Sequence, residues 1–385
     1  MKIIFDRDTL IAAVAPLMGA VSSKNTIAAI EGILMETKGD NTCVLSSYDL
    51  EKGMRAVVEA RVIDSGSFIV NANKFNQIIR TMPEGELTME VNDHNVIKIT
   101  GGRSSFELHA MKGSDFPNLP DLNIDSGIRL KQGDLKNMLV CTAFAVAQND
   151  SRPALNGSLF QIEKDKLTVV SCDGNRLALK EKKCEIQTIA MEEKDLSMRF
   201  IVPGKSLVEL VKLLDAPEET VSMKVTRKHM ILATEHICLF TRLIEEEYVD
   251  YERFIPKTSK IFVRISCGEF IRSLERASLV TEDRTMGQTK SPLICQFTDG
   301  LLKIKSTSVS GSVYDEICIE KQGEDLDIAF NCKYLLDALR SCDCEKIRLS
   351  MTTSLMSMII EPDGEDSSDN DGTFLFLVLP VRMKE

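Results

Sequence analysis

The chain has 385 residues, of which 43% are hydrophobic and 27% are charged, so it is long enough for two to four globular domains. Its formal net charge of -11 argues against a protein that coats nucleic acid with a uniformly basic surface, although a local basic surface is compatible with it. No run approaches roughly 18 consecutive apolar residues, and Asp6, Arg7 and Asp8 stand where a signal peptide needs an apolar run, so we expect a cytoplasmic protein.

The first third of the chain begins with a strand that leads into a helix over residues 7–20, in "IIFDRDTLIAAVAPLMGAV". Two alternating strands follow in "GILMETKGDNTCVLSS" and predict a hairpin. The stretch "FIVNANKFNQII" at 68–79 predicts a strand, a turn and an amphipathic helix over 73–80. A meander in "LTMEVNDHNVIKITGGRSSFELH" completes this order.

The same order of predicted elements returns twice. The second copy runs from "IRLKQGDLKNMLVCTAFAV" through "GSLFQIEKDKLTVVSC" and "FIVPGKSLVELV" at 200–211 to "VSMKVTRKHMILATEHICLFTRL". The third runs from "VRISCGEFIRSLERASLV" through "PLICQFTDGLLKIKST" and "IAFNCKYLLDAL" at 328–339 to the C-terminal meander. Their predicted helices cover 131–147, 203–214, 268–279 and 332–340.

This order predicts an α+β fold of three tandem repeats, each with two helices and about eight short strands. The connectors "SDFPNLPD" and "VDYERFIPK" place the boundaries near residues 125 and 256. We therefore expect domains at 1–125, 126–256 and 257–385.

The six predicted helices together carry a net charge of +5, so the rest of the chain carries -16. Two interpretations stay open: the helices have ordinary solvated faces, or they present a weakly positive surface to a polyanion. With no Trp and 5% aromatic residues, stacking on single-stranded bases is disfavoured, and contact with phosphates without sequence reading fits better. The helical cations that would supply this surface are Lys74, Arg80, Lys205, Lys212, Lys333 and Arg340.

Motifs for catalysis, metal or cofactors are not evident. Gly204-Lys205-Ser206 resembles the end of a phosphate-binding loop, but Arg199 stands where that loop needs Gly, and Pro203 lacks a backbone donor. The acidic run Glu365 to Gly372 fits a hairpin tip better than a calcium loop. The four histidines lack metal-ligand spacing, and the eleven cysteines are predicted to be reduced, with a disulfide framework or zinc site as the alternative. We expect a protein that is not an enzyme and has no cofactor.

Several stretches spread over the whole chain resemble the bacterial DNA polymerase III β subunit, the sliding clamp family. They are "MKIIFDRDTL", "GSFIVNANKF", "DFPNL", "SRPALNG", "CDGNRLAL", "FIVPGKSLVEL", "DYERFIP" and the ending "LPVRM". The resemblance implies a processivity factor that forms a ring around duplex DNA and tethers the replicative polymerase. It further implies that the clamp loader and repair polymerases bind the same clamp through short peptides.

Simple geometry bears on the number of chains in such a ring. A domain of about 128 residues, treated as a sphere, is roughly 36 Å across. Three touching spheres enclose a hole of about 6 Å and six enclose about 36 Å, whereas a duplex is roughly 20 Å wide. One chain cannot encircle DNA but two can, so a head-to-tail homodimer is expected.

The resemblance also implies site residues, carried over by position. The dimer interface would use Lys74, Phe106 and Leu108 of the first repeat and Leu279 and Val280 of the third. For Phe106 and Leu108, ordinary strand packing is the alternative. DNA contacts are expected at Lys24 and at Gln148 or Asn149, which could equally be exposed loop residues.

A mostly apolar pocket for partner peptides would lie between the second and third repeats. Its wall would consist of Leu155, Cys172, Gly174, Asn175, Arg176, Leu177, Val249, Arg253, Phe254, Leu355, Leu377, Leu379, Pro380, Val381, Arg382 and Met383. Arg176 or Arg382 could bind a peptide carbonyl or carboxylate. Val249, Cys172 and Asn175 stand where the family often has Pro, Thr and His, so the peptide preference stays open.

Two other functions are compatible with parts of the sequence. One is a repeat scaffold with no role at DNA, in which the helix charges are only solvated. The other is a phosphate- or nucleotide-handling activity at Gly204 to Ser206.

Overall fold

The computed structural model describes residues 1–22, 27–190, 196–281, 291–309, 311–364 and 372–382. Within them, each third of the chain has the same order of elements: a strand, a helix, five strands, a second helix and three strands. The predicted α+β repeat with two helices is confirmed. Each third has nine strands rather than about eight.

The elements of the first third are β1 (Lys2–Asp6), α1 (Arg7–Leu17), β2 (Gly32–Lys38), β3 (Thr42–Tyr48), β4 (Lys52–Glu59), β5 (Arg61–Asp64), β6 (Ser67–Asn71), α2 (Ala72–Thr81), β7 (Glu86–Val91), β8 (Val96–Gly101) and β9 (Ser104–Lys112). Those of the second are β10 (Gly127–Lys131), α3 (Gln132–Thr142), β11 (Gly157–Glu163), β12 (Lys166–Cys172), β13 (Arg176–Lys183), β14 (Gln187–Ile189), β15 (Ser197–Pro203), α4 (Gly204–Leu213), β16 (Thr220–Val225), β17 (His229–Ala233) and β18 (Ile237–Arg242). Those of the third are β19 (Ile261–Ser266), α5 (Cys267–Thr281), β20 (Leu293–Thr298), β21 (Leu301–Ser308), β22 (Gly311–Cys318), β23 (Glu320–Gln322), β24 (Leu326–Phe330), α6 (Cys332–Arg340), β25 (Lys346–Met351), β26 (Met358–Pro362) and β27 (Thr373–Val378).

The helices begin directly after strands because short polar side chains cap them. The Asp6 carboxylate accepts from the Thr9 N–H at 2.9 Å, and the Asn71 and Asn331 amide oxygens accept from the N–H groups of Lys74 and Lys333. These caps satisfy backbone donors that have no partner inside the helix. In the second copy Pro203 precedes the helix instead.

Strand pairing repeats with the elements, and all of it is antiparallel. In each third the first strand pairs with the fifth and seventh strands, and the second strand pairs with the third and sixth. The fifth strands, β5, β14 and β23, are the short ones that the sequence prediction did not separate. Each third thus supplies two sheet segments and two helices.

Pairing between thirds joins the fourth strand of one to the ninth strand of the next. β4 pairs with β18, with Met54 opposite Leu239, and β13 pairs with β27, with Leu177 opposite Leu377. The remaining fourth strand, β22, pairs only with β21 among the described residues. The remaining ninth strand, β9, pairs with β8 over Ser104–His109 and turns to β6 only at Ala110–Lys112.

The chain divides into two compact units, and each sheet lies within one of them. The first unit is Met1–Gly133, Ile186–Glu193 and Val208–Leu243 and contains a fourteen-stranded sheet from β14 to β5. Helix α1 packs on β4 and α2, and Leu10, Val14 and Phe75 of these helices are fully buried.

The second unit is Asp134–Glu185, Lys194–Leu207 and Ile244–Glu385. It contains a nine-stranded sheet from β15 to β23 and a four-stranded sheet in the order β22-β21-β20-β24. Helices α5 and α6 pack on each other, and their core includes Phe270, Leu274, Leu335 and Leu339. The predicted domain boundaries near 125 and 256 stay predictions.

Candidate functional site

Five of the predicted pocket residues lie in one apolar cluster of the second unit. Leu155, Cys172, Leu177 and Leu377 are buried, and Val249 packs against them partly buried. Leu177 and Leu377 meet because β13 and β27 place them opposite each other. The strands of two repeats thus form one apolar floor.

The turn between β12 and β13 forms one rim of this floor. The Asp173 carboxylate accepts from the N–H groups of Asn175 and Arg176, and Gly174 has a φ of +86°, which glycine adopts without strain. Gly174 N–H also lies 3.4 Å from the Cys172 sulfur. Burial raises the pKa of the Cys172 thiol, so it acts as a neutral apolar wall residue.

Arg176, a predicted wall residue, makes its contacts with side chains of this chain. Its Nε lies 3.0 Å from Asp173 Oδ2 and its Nη1 lies 2.7 Å from Asp337 Oδ2 on α6. The guanidinium also lies over the Tyr334 ring, at 4.7 Å from the centroid. Arg176 therefore links β13 to α6, and these contacts use guanidinium donors that we expected to face a peptide.

The C-terminal tail follows the rim through two backbone hydrogen bonds. Leu379 N–H donates to Asn175 O at 2.9 Å, and Val381 N–H donates to Ala329 O at 2.8 Å. Both side chains remain exposed, by 43% for Leu379 and 40% for Val381. Pro380 lies between them and Arg382 is exposed after them, while predicted Met383 lies outside the described residues.

Three of the predicted wall residues outside the apolar cluster are exposed on other turns. Leu355, in the β25–β26 turn, is 74% exposed, and Phe254, at the end of the Tyr251–Phe254 turn, is 57% exposed. Arg253 is exposed beside Phe254 and forms an ion pair with Asp250 at 2.6 Å. Exposed apolar side chains such as Leu355 and Phe254 are typical of a docking surface rather than a catalytic cleft.

Eight buried residues of the cluster were not in the prediction, among them Tyr248, Tyr251 and Ile359. The Tyr251 hydroxyl lies 3.0 Å from Gln161 Oε1, whereas the buried Tyr248 hydroxyl has no hydrogen-bond partner among the described residues. Burial raises the pKa of Tyr248 far above its usual value. The aromatic residues of the connector "VDYERFIPK" were the available sequence signal for this part of the cluster. They indicated only a fixed linker between repeats.

The predicted DNA-facing cations are exposed, and some are paired. Lys212 contacts Glu209 of its own helix at 3.2 Å, and Arg340 contacts Glu275 of α5 at 2.8 Å. Lys74 and Lys333 have no ion-pair partner within the described ranges. Arg80 Nε donates to Asn76 Oδ1, and Lys205 is exposed at the start of α4.

The loop that carries Gln148 and Asn149 is exposed and locally fixed. Asp150 accepts from Arg152 Nε at 3.0 Å, and its N–H donates to Asn156 Oδ1 at 2.8 Å. The hydrogen bond from Arg152 lowers the pKa of Asp150 to about 2, so this carboxylate stays ionised. Predicted Lys24 lies outside the described residues.

The tripeptide Gly204-Lys205-Ser206 starts α4 immediately after β15, and Ser206 is only 2% exposed. A Cβ on Gly204 would lie 2.8 Å from Val146 Cγ1, so close packing explains this glycine. The structural role of the tripeptide is therefore a strand-to-helix junction.

The predicted interface residues are surface residues of their units. In the first unit Phe106 is 40% exposed, Leu108 is half-buried and Lys74 is exposed. In the second unit Leu279 is 80% exposed and Val280 is half-buried at the end of α5. An apolar side chain as exposed as Leu279 is suited to a protein contact.

Within the described part of the chain, no group of three His, Cys, Asp or Glu residues could hold a metal ion. No helix among the described residues is both long and apolar enough to cross a membrane. All eleven cysteines lie in the described residues and are reduced, and eight of them are in strands or helices.

Family models of the DNA polymerase III beta subunit match nearly the whole chain. The N-terminal domain model matches residues 1–120, the central domain model 129–250 and the C-terminal domain model 252–373. The beta sliding clamp of Halalkalibacterium halodurans is 31% identical over 99% of this chain and 100% of the relative, and that of Bacillus subtilis is 29% identical over the same shares.

Solved structures agree with these matches. The chain is similar to the DNA polymerase sliding clamp of Bacillus subtilis, with a TM-score of 0.90 at 28% identity. It is also similar to a putative DNA polymerase III beta subunit from Eubacterium rectale, with a TM-score of 0.89 at 30% identity. Both comparisons cover 100% of each chain.

Proposed function

Because this chain belongs to the DNA polymerase III beta subunit family, the beta sliding clamps, we propose that two copies of it close head to tail into a ring around duplex DNA. The chain is a non-catalytic processivity factor of DNA polymerase III, and DNA and polymerase are its partners. The ring, its closing surfaces and its peptide pocket are the parts that we propose. We propose that the protein acts in the cytoplasm, where bacterial DNA is replicated.

The unpaired strand edges carry the proposal of a closed ring. The fourth strands β4 and β13 each pair with a ninth strand, β18 or β27, whereas β22 and the Ser104–His109 part of β9 each have one edge without a strand partner among the described residues. Pairing β22 of one copy with β9 of another would complete the same pattern. An unpaired edge is a template for association with another chain.

The two edges are different surfaces, so the contact is heterologous and closes only if the rotation fits. Leu279 and Val280 on α5 lie in the same unit as β22, and α5 packs on β22, where Ser273 Oγ donates to Asp315 Oδ2 at 2.8 Å. Phe106 and Leu108 lie on the free part of β9 itself. Apolar contacts beside a strand pair would add to its backbone hydrogen bonds.

The helices would face the DNA in this ring. Lys74, Lys205 and Lys333 lie at the starts of second helices in the three repeats, and contact with phosphates through such cations carries no sequence information. Pairing of Lys212 and Arg340 with glutamates leaves the surface only weakly positive. Weak, non-specific contacts are compatible with movement along the duplex.

The apolar cluster with its exposed rim is proposed to bind short peptides of the polymerase, the clamp loader and repair polymerases. Buried Leu155, Leu177 and Leu377 form the floor, and exposed Leu355, Leu379 and Val381 supply apolar surface that a peptide would cover. Arg176 is proposed to hold α6 beside the pocket through Asp337 rather than to bind the peptide directly.

The pocket is tested with the replicative polymerase of the same cell as the binding partner. Leu355→Glu, or deletion of Leu379 to Glu385, should weaken polymerase binding at least tenfold in surface plasmon resonance, because each removes exposed apolar surface. Ile63→Glu is the matched control, since Ile63 is an exposed apolar residue on β5, outside both the pocket and the proposed dimer contact. Unchanged affinity in Leu355→Glu and in the deletion would refute the pocket, and a lost dimer would show that the tail is structural.

A further inference from the structure

Cys267 and Cys342 lie near each other, where the start of α5 contacts the turn after α6. Cys267 is the first residue of α5; its N–H donates to Glu345 O at 2.8 Å and its sulfur lies 3.5 Å from Leu339 O. Cys342 N–H donates to that same Leu339 carbonyl at 3.1 Å, and its sulfur lies 3.5 Å from Ala338 O. The Cys267 thiol and the Cys342 N–H thus share one carbonyl acceptor, which places the two cysteines side by side.

The two thiols are chemically unequal. The N-terminus of a fifteen-residue helix favours negative charge, and Cys267 occupies its first position. The neighbouring Cys342 side chain lowers the pKa of Cys267, and Cys267 together with burial raises the pKa of Cys342. Cys267 is therefore the better nucleophile and Cys342 the neighbouring thiol that can resolve an oxidised sulfur.

We propose that Cys267 and Cys342 form a reversible redox dithiol that hydrogen peroxide converts to a disulfide. The Cys267 thiolate attacks one peroxide oxygen, the O–O bond breaks, and the departing hydroxide takes a proton to leave as water. The Cys342 sulfur then attacks the Cys267 sulfenic acid, an S–S bond forms, and the S–O bond breaks with release of a second water. Both sulfurs are oxidised and the peroxide is reduced to two waters.

Burial decides which oxidant fits the pair. Cys267 is only 4% exposed and Cys342 is half-buried, so a small hydroperoxide has better access than a bulky disulfide. The proximity of the partner thiol favours a disulfide over further oxidation of the sulfenic acid. A low-molecular-weight thiol would restore the reduced pair.

The disulfide would tie α5 to the turn after α6, which contacts the second repeat. That turn contains Asp343, whose carboxylate accepts from the buried Lys180 ammonium at 2.6 Å and from the Asn137 amide at 3.1 Å. A crosslink between residues so far apart in sequence restricts the unfolded chain strongly. We expect the oxidised protein to melt roughly 5 °C higher than the reduced protein.

The test treats the purified full-length chain with hydrogen peroxide, blocks remaining thiols in denaturant with iodoacetamide, and maps tryptic peptides by mass spectrometry. The expected product joins peptide 265–272 to peptide 341–346, with fragmentation placing the bond at Cys342. Cys344→Ser is the matched control and should keep the crosslink. Cys267→Ser and Cys342→Ser should lose it, together with the increase in Tm that dithiothreitol reverses.

Three results would overturn the proposal. A bond between Cys342 and Cys344, or from either proposed partner to Cys141, would assign the chemistry to another pair. Full alkylation of Cys267 and Cys342 at a peroxide dose that oxidises exposed Cys318 would show that the pair is inert. A crosslink that survives in Cys342→Ser would exclude Cys342 as the resolving thiol.

Discussion

Lys180 is a buried cation whose partner lies in another repeat of the same unit. Its side chain has no exposed surface, and its Nζ lies 2.6 Å from Asp343 Oδ2. Arg176, four residues earlier on β13, makes the equivalent link to Asp337 at 2.7 Å. A buried pair of this kind adds little net stability over apolar residues, but the loss of one partner leaves an uncompensated buried charge.

Asp343→Asn should therefore lower the free energy of unfolding by about 3 kcal/mol in urea denaturation. The double variant Lys180→Met with Asp343→Asn should recover most of this loss, because the buried charge is gone. Glu86→Gln is the control: its partner Arg61 is exposed, so the change should stay below about 1 kcal/mol. An equal loss in the single and double variants would contradict this account.

The effect of Asp343→Asn should depend on pH. Burial raises the pKa of Asp343, but the hydrogen bonds from Lys180 and Asn137 outweigh it, so the pKa lies below its usual 3.8. A lowered folded-state pKa contributes stability above the unfolded-state pKa and loses it as the pH falls through the folded-state value. The difference in unfolding free energy between wild type and variant should be constant near pH 7 and shrink below about pH 4.

The sequence does not distinguish Lys180 from Lys182 and Lys183, which follow it on the same strand. Alternation along β13 predicts which face a residue occupies, but the acidic partner is more than 160 positions away. The residues of the apolar floor were easier to name, because the quoted motifs carry Leu155 and Leu177, and Leu377 stands two residues before "LPVRM". These residues were identified through the resemblance to the family rather than through periodicity alone.

At the scale of elements, unpaired edges distinguish the first and third repeats from the second. All six helices were predicted within a few residues because their apolar spacing and following turns are local signals. The fourth strands β4, β13 and β22 and the short fifth strands were not predicted. Pairing with a distant strand is decided by tertiary structure, and a strand of three or four residues has too few positions to show alternation.

Leu279→Glu should dissociate the proposed dimer without unfolding the protomer, because the side chain is 80% exposed and a charge there cannot be buried against a partner at low cost. Multi-angle light scattering should then give a mass of 42.9 kDa instead of roughly twice that value. Leu355→Glu, with a side chain that is 74% exposed, should stay dimeric. A dimeric Leu279→Glu variant would place the contact elsewhere.

For the whole molecule, the distribution of charge agrees with a protein held on DNA by its shape. The chain has a net charge of -11, and part of its helical positive charge is paired internally. A protein that binds DNA through 6–10 phosphate contacts loses about 10³–10⁵ in affinity between 50 and 200 mM salt. A closed ring has no such dependence, because release requires an open interface or a DNA end.

The most direct test of the central claim loads the full-length chain onto a nicked circular plasmid with the clamp loader of the same cell. The DNA-bound fraction is then measured by gel filtration in about 200 mM salt, before and after a single restriction cut. We expect stable retention on the circle and rapid loss once the plasmid is linear. Equal retention on circular and linear DNA would contradict the ring.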